Sequence, residues 1–187
     1  DYADFTEKYI PRLREEAEKY KSQGIPVYTI DLGDSGWDRY WYENGYNIGD
    51  FRKTIENINF PTQFFNIMGN HDNDSAAEPD SDTDFMAAQP YRKAFGPSYY
   101  SFNLGKAHYV VLDNIVYLNQ KEGKRKELSH QAGLAGTCDY QTYLSKEQMA
   151  WLRKDLAEVK DPENTPVFIA FHAPMFKYKA AIGEVFT

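Results

Sequence analysis

Apolar side chains recur at three- and four-residue steps at Phe5, Tyr9, Leu13, Ala17 and Tyr20, with charged residues between them, which predicts an amphipathic helix over the first twenty residues. Pro11 fits either its first turn or a kink. Gly24 ends the helix, and the apolar run from Val27 to Leu32 predicts a buried strand. Asp50 is placed to cap a short helix whose Phe51, Ile55 and Ile58 share a face, and Pro61 leads into a second strand, Phe64 to Met68, broken at Gly69. Helix, strand, helix, strand with connections of this length predicts two parallel strands, with Asp34 and Asn70 at the same sheet edge.

From Asn73 to Pro90 the chain is polar and acidic, which predicts a surface loop. Asp80, Asp82 and Asp84 alternate like the opening of a calcium loop. However, Phe85 and Tyr91 stand where such a loop has glycine and glutamate, which argues against it. Tyr99 to Leu104 and Ala107 to Leu112, joined by Gly105 and Lys106, predict a hairpin, and so an antiparallel component beside the parallel one. Asn119 to Tyr143 has no sustained period, and a stretch of that length fits a functional loop such as a lid. Ser145 with Gln148 reads as a capping box, ahead of a helix whose Met149, Leu152, Leu156 and Val159 make one face. Pro162 to Pro166 breaks that helix, and a last strand, Val167 to Phe171, leads to His172.

A chain of 187 residues with 42% hydrophobic content suits one domain with a real core. The net charge of −7 offers no footprint for nucleic acid, and the basic cluster from Lys121 to Lys126 is short and interrupted by Glu122. It reads as a solvated loop. Cys138 is the single cysteine, so no intrachain disulfide forms. No run has the length of a membrane span and no export signal is visible; the compartment stays open, with export of a longer parent chain compatible with the sequence.

The chemistry concentrates where apolar runs end. The first run meets Gly33 and Asp34 with Asp38 four positions on, the second meets Gly69-Asn70-His71-Asp72, and the third meets Phe171-His172-Ala173-Pro174. Ligands of open α/β sheets sit beyond the carboxyl ends of strands, and glycine lets the backbone turn there. These three motifs, in this order, resemble the calcineurin-like metallophosphoesterase family, and the likeness takes in Tyr91 to Asn114 as well. Gly-Asp alone is weak evidence; Gly-Asn-His-Asp is the specific part.

The resemblance implies an α/β fold of mixed β-sheets flanked by helices, an αββα sandwich incomplete at both ends, with residues 1–187 forming one partial catalytic domain. It implies hydrolysis of phosphate esters at two divalent metal ions, for which nitrogen and oxygen donors together suit Mn, Fe or Zn. By the same resemblance Asp34 bridges the ions, and Asn70 and His172 ligate the second. His71 protonates the leaving group. Asp72 either raises the His71 pKa or caps the next turn, and Asp38 orients a ligand rather than binding the ion itself. Trp37, Tyr40, Trp41, Tyr42 and Tyr46 follow Asp34 closely; packing accounts for most of them, while Trp37 or Tyr40 is expected to face a substrate pocket. His108 is expected to be structural, and His130 has no assigned role.

The family's opening Asp-x-His and closing Gly-His-x-His are not found in the sequence. The expectation is therefore an internal piece of a longer protein, whose flanking segments complete the site and a central strand of the sheet. The piece itself is expected to bind metal weakly and to act on a small phosphate ester slowly or not at all. The alternative is a non-catalytic binding or scaffold domain that keeps the fold.

Overall fold

The computed structural model describes residues 2–36, 47–74, 83–117 and 140–174. The N-terminal helix is continuous but not uniform: α1 (Tyr2–Asp4) passes into a π-helical segment (Phe5–Tyr9) and then α2 (Ile10–Lys21). Pro11 has no N–H to give the preceding turn, and immediately before it the Ile10 N–H reaches back five residues to the Phe5 carbonyl. The wider turn shifts the helix phase by one residue. Ile10 and Ala17 are therefore buried, while Tyr9, expected on the inner face, is 66% exposed and Tyr20 is 41% exposed.

Strand β1 (Tyr28–Asp31), helix α3 (Ile48–Asn57) and strand β2 (Gln63–Asn66) follow, and the two strands are parallel, Tyr28 opposite Gln63 and Asp31 opposite Asn66. Helix α3 starts two residues before Asp50. Its cap is Asn47, whose Oδ1 accepts from the Gly49 and Asp50 amides, while Asp50 Oδ2 accepts from the Asn47 amide. Asp50 is thus the third residue of a capping box rather than the cap itself. Arg14 and Lys21 tie α2 to the chain beyond α3, donating to the carbonyls of Ile58, Asn59 and Pro61.

Part of the expected surface loop is helical: α4 (Thr83–Ala87) and α5 (Gln89–Phe95). Ala87, Ala88 and Tyr91 give it a buried side that the surrounding acidic residues mask in the sequence. Asp84 lies in α4, and Asp80 and Asp82 lie outside the described residues. Ile48, Phe51, Ile55, Met68, Ala88 and Tyr91 make one core, with Phe5, Phe60, Phe64 and Phe95 packed around it.

The hairpin forms as expected from β3 (Tyr100–Leu104) and β4 (Ala107–Val111), with Leu104 opposite Ala107 and a left-handed Gly105 at φ 60° in the turn. Strand β7 (Val167–Ala170) joins β4 in parallel. Between them in sequence, β5 (Ile115–Tyr117) and β6 (Tyr140–Thr142) pair antiparallel, so the end of the stretch without period contributes a short strand. Helix α6 (Lys146–Ala157) is capped by Ser145, whose Oγ accepts from the Gln148 amide. It packs Leu152 against Val110 and Leu112 as a second core. His108 is structural: its Nε2 lies 2.8 Å from Asp155 Oδ2 and its Nδ1 2.9 Å from Asn103 Oδ1, tying the hairpin to α6. Phe65 of β2 stacks on Phe102 of β3 at 3.9 Å, joining the parallel pair to the mixed sheet. The chain is a mixed α/β protein. Among the described residues, no helix is long and apolar enough to cross a membrane.

Strand β1, expected to be buried, is only partly covered, and β7 is more open still. In β1 and just after it, Tyr28 is 39% and Leu32 60% exposed, and in β7 the consecutive Val167, Phe168 and Ile169 are 40%, 51% and 45% exposed. Successive residues of a strand face opposite sides, so β7 is open on both faces. Among the described strands it also has a neighbour along one edge only. Such an edge is a template for pairing between chains. The chain should therefore self-associate as its concentration rises, and Ile169→Lys should shift sedimentation toward monomer without altering the circular dichroism. Unchanged association would place the contact elsewhere.

Candidate functional site

The parallel pairing of β1 and β2 sends residues 32–34 and 67–70 out of the same sheet edge, and the Ile67 amide still bonds to the Asp31 carbonyl at 3.0 Å. Beyond that point the backbones of the two loops come into close contact at two glycines. Gly33 is left-handed at φ 95°, and a Cβ there would lie 2.7 Å from the Gly69 nitrogen and 2.9 Å from His172 Nδ1. A Cβ on Gly69 would collide with the nitrogen and Oδ1 of Asp34. Asp34 is itself left-handed at φ 61°, a conformation that costs energy for a residue with a side chain.

Asp72 ties this crossing together. Fully buried, it accepts from the Asp34 and Gly69 amides on Oδ2, both at 2.8 Å, and from the Gly36 amide on Oδ1 at 3.0 Å. Its carboxylate thus holds three backbone amides across two loops, which gives it an anchoring task beyond the two roles considered for it from sequence. Burial pushes its pKa up; the Gly69 and Gly36 amides oppose this and the charges of Asp34 and Asp31 add to it, leaving the carboxyl at about 7. Behind the crossing, Asn66 Nδ2 donates to Asp31 Oδ2 at 2.7 Å and Ser35 closes on the same oxygen.

His172 reaches the same place from the end of β7. Its Nδ1 is 2.7 Å from the Leu32 carbonyl, which can only accept, so Nδ1 carries the proton. Its Nε2 then faces Asn70 Oδ1 at 3.0 Å and Asp34 Oδ1 at 3.4 Å. Asp34 Oδ1 also accepts from the His71 amide at 3.0 Å. Burial alone would lower the His172 pKa, yet hydrogen bonds with Asp34 and the Leu32 carbonyl raise it overall. Burial likewise opposes ionisation of Asp34, but the bond with His172, the His71 amide and the charges of both histidines hold its pKa below the ordinary value.

Asp34, Asn70 and His172, separated widely in sequence, therefore meet. In the neutral ring the Nε2 lone pair points at two oxygens, an arrangement that calls for a positive charge between them, either a proton or a metal ion. One nitrogen and two oxygens suit a Mn, Fe or Zn ion. Among the described residues, no group of three or more His, Cys, Asp or Glu side chains is placed to hold a metal. The third donor of this set is an asparagine, and the set is an incomplete shell for one ion. His71 is buried, with its backbone on Asp34. Trp37, Asp38, Tyr40 and His130 lie outside the described residues.

Asp113 and Asn114 were not singled out in the sequence. They follow the apolar run of β4 as Asp34 follows β1, the same signal of polar residues at a strand's carboxyl end. Comparison of the chain with family models and with curated proteins finds no match.

Burial raises the Asp113 pKa to about 7, like that of Asp72. A carboxyl whose folded pKa exceeds its unfolded value keeps its proton after the unfolded chain has lost it, so its stabilisation fades as pH rises from about 4 to about 7. The raised His172 pKa acts in the same direction at and above its ordinary range. The urea midpoint should therefore fall from pH 5 to pH 8, and Asp113→Asn should flatten the fall by removing one contributor. A midpoint that rises over that interval would contradict this assignment of burial.

Proposed function

We propose that the chain is part of a metal-dependent phosphoesterase domain of the calcineurin-like kind, built as an αββα sandwich and acting on a small phosphate ester. The observation that carries the reading is the convergence of Asp34 Oδ1, Asn70 Oδ1 and His172 Nε2 at the ends of three strand-derived segments. In this reading those three residues would hold divalent metal, with Asp34 as its carboxylate ligand. Further donors would complete the shell; among the described residues no group of three or more His, Cys, Asp or Glu side chains is placed to hold a metal. Bound metal would supply neutralisation of phosphoryl charge and activation of water as a nucleophile.

The protein's own part is positional. The Leu32 carbonyl fixes the His172 tautomer so that a neutral nitrogen is offered to the ion, and Asp72 holds the loop that presents Asp34 and Asn70. His71, beside Asp34, has the chemistry of a proton donor near neutral pH and protonates the departing alkoxide.

The test is Mn²⁺ titration by calorimetry together with hydrolysis of an aryl phosphate, in the chain alone and in a chain extended at both ends. His172→Ala should abolish metal binding. His71→Gln should keep metal binding while lowering kcat by about 10²–10⁴-fold. Metal binding with no hydrolysis in the extended chain would favour the binding or scaffold reading. Metal binding unaffected by His172→Ala would overturn both.

A further inference from the structure

We infer that Asn114 is the positioning residue that aims His172 at the candidate ion, an inference that rests on the reading of Asp34, Asn70 and His172 as its ligands. The ladder between β4 and β7 ends with the Leu112 amide on the Ala170 carbonyl at 2.9 Å. His172 lies two residues past that last rung, where no strand pairing holds the backbone.

The side chain of Asn114 supplies a further rung. Its Nδ2 donates to the Ala173 carbonyl at 2.5 Å and its Oδ1 accepts from the Ala173 amide at 3.2 Å. A carboxamide presents a donor and an acceptor in one plane, as a peptide group does, and so can pair with both polar atoms of one residue. Asn114 is fully buried, leaving its amide little freedom to pair elsewhere.

The clamp is itself held from behind by a second one of the same type. Gln148 of α6, buried, donates through Nε2 to the Asp113 carbonyl at 2.6 Å and accepts from the Asp113 amide on Oε1 at 2.9 Å. Asp113 Oδ1 also accepts from the Ile115 amide. The backbone at 113 is thus fixed to α6, residue 114 is fixed to residue 173, and the imidazole between Ala173 and the Leu32 carbonyl has both its root and its Nδ1 anchored. This also explains why the capping pattern at Ser145 forms with the Gln148 amide while the Gln148 side chain binds Asp113.

Asn114→Asp keeps the shape but removes the donor and sets a carboxylate oxygen against the Ala173 carbonyl. The expected result is a 10- to 100-fold weaker Mn²⁺ Kd, the scale typical of partners that orient metal ligands. It should also remove the Nδ1-protonated tautomer signature of His172 in imidazole ¹⁵N spectra. Ile10→Ala, a buried change in the N-terminal helix away from the clamp, controls for lost stability and should leave Kd unchanged.

Wild-type Mn²⁺ binding with an unchanged Kd and an unchanged imidazole spectrum in Asn114→Asp would overturn the inference and leave the site reading standing. Absence of Mn²⁺ binding by the wild type, even with its ends extended, would sink the site reading, and with it an inference about aiming at an ion. If Asn114→Asp does not fold, hydrogen exchange of the unaltered protein decides: the Ala173 amide, outside every strand ladder, should be as protected as the Val111 amide, and rapid exchange overturns the clamp.

Discussion

The closest constraint in this protein is the crossing of two backbones. Gly33 and Gly69 approach so nearly that neither can carry a side chain, and the contact survives because one buried carboxylate, Asp72, binds amides on both sides of it. The candidate site is built on that contact. It puts the Asp34 and Asn70 side chains side by side, and it opens the Leu32 carbonyl to a histidine arriving from the other sheet. Replacing either glycine would separate the loops and, with them, the polar groups that face one another.

Electrostatics follows from this geometry. The charge on Asp34 is favoured by two histidines, while Asp72 behind it is buried deeply enough to hold its proton toward neutrality. Opposite environments for two carboxylates a few residues apart in space separate their roles: Asp34 remains an available anion, and Asp72 remains an internal tie. The uncovered faces of β7 and the exposed Leu32 lie next to the same crossing. His172 thus comes to the crossing from an exposed strand, and its Nδ1 meets the carbonyl of the exposed Leu32.

Much of this was legible in the sequence where one local rule decides the outcome. The parallel strands, with Asp34 and Asn70 at one edge, followed from two apolar runs joined by a helix, and the hairpin from Gly105 and Lys106 between two apolar runs; that His172 joins them was an expectation of the family resemblance alone. What was not legible depends on competition between rules. The π turn before Pro11 moves Ile10 inward and Tyr9 outward, which no fixed helical period anticipates. Asn47 displaced Asp50 as the helix cap because both are good caps and the better geometry lay one turn earlier. The burial of β1 was misjudged because apolar character reports what a strand can bury, not whether neighbours cover it. Asp72 was a candidate from sequence, but its three-amide tie and the Asn114 clamp were not legible, because the partners of both side chains are backbone groups.

The account stands on a cation held jointly by three side chains. Anomalous diffraction at the manganese edge, from crystals of the protein grown with Mn²⁺, tests this directly. The account predicts a peak in bonding contact with Asp34 Oδ1, Asn70 Oδ1 and His172 Nε2. A manganese peak bonded to other groups, with these three atoms still hydrogen-bonded to one another, would contradict it.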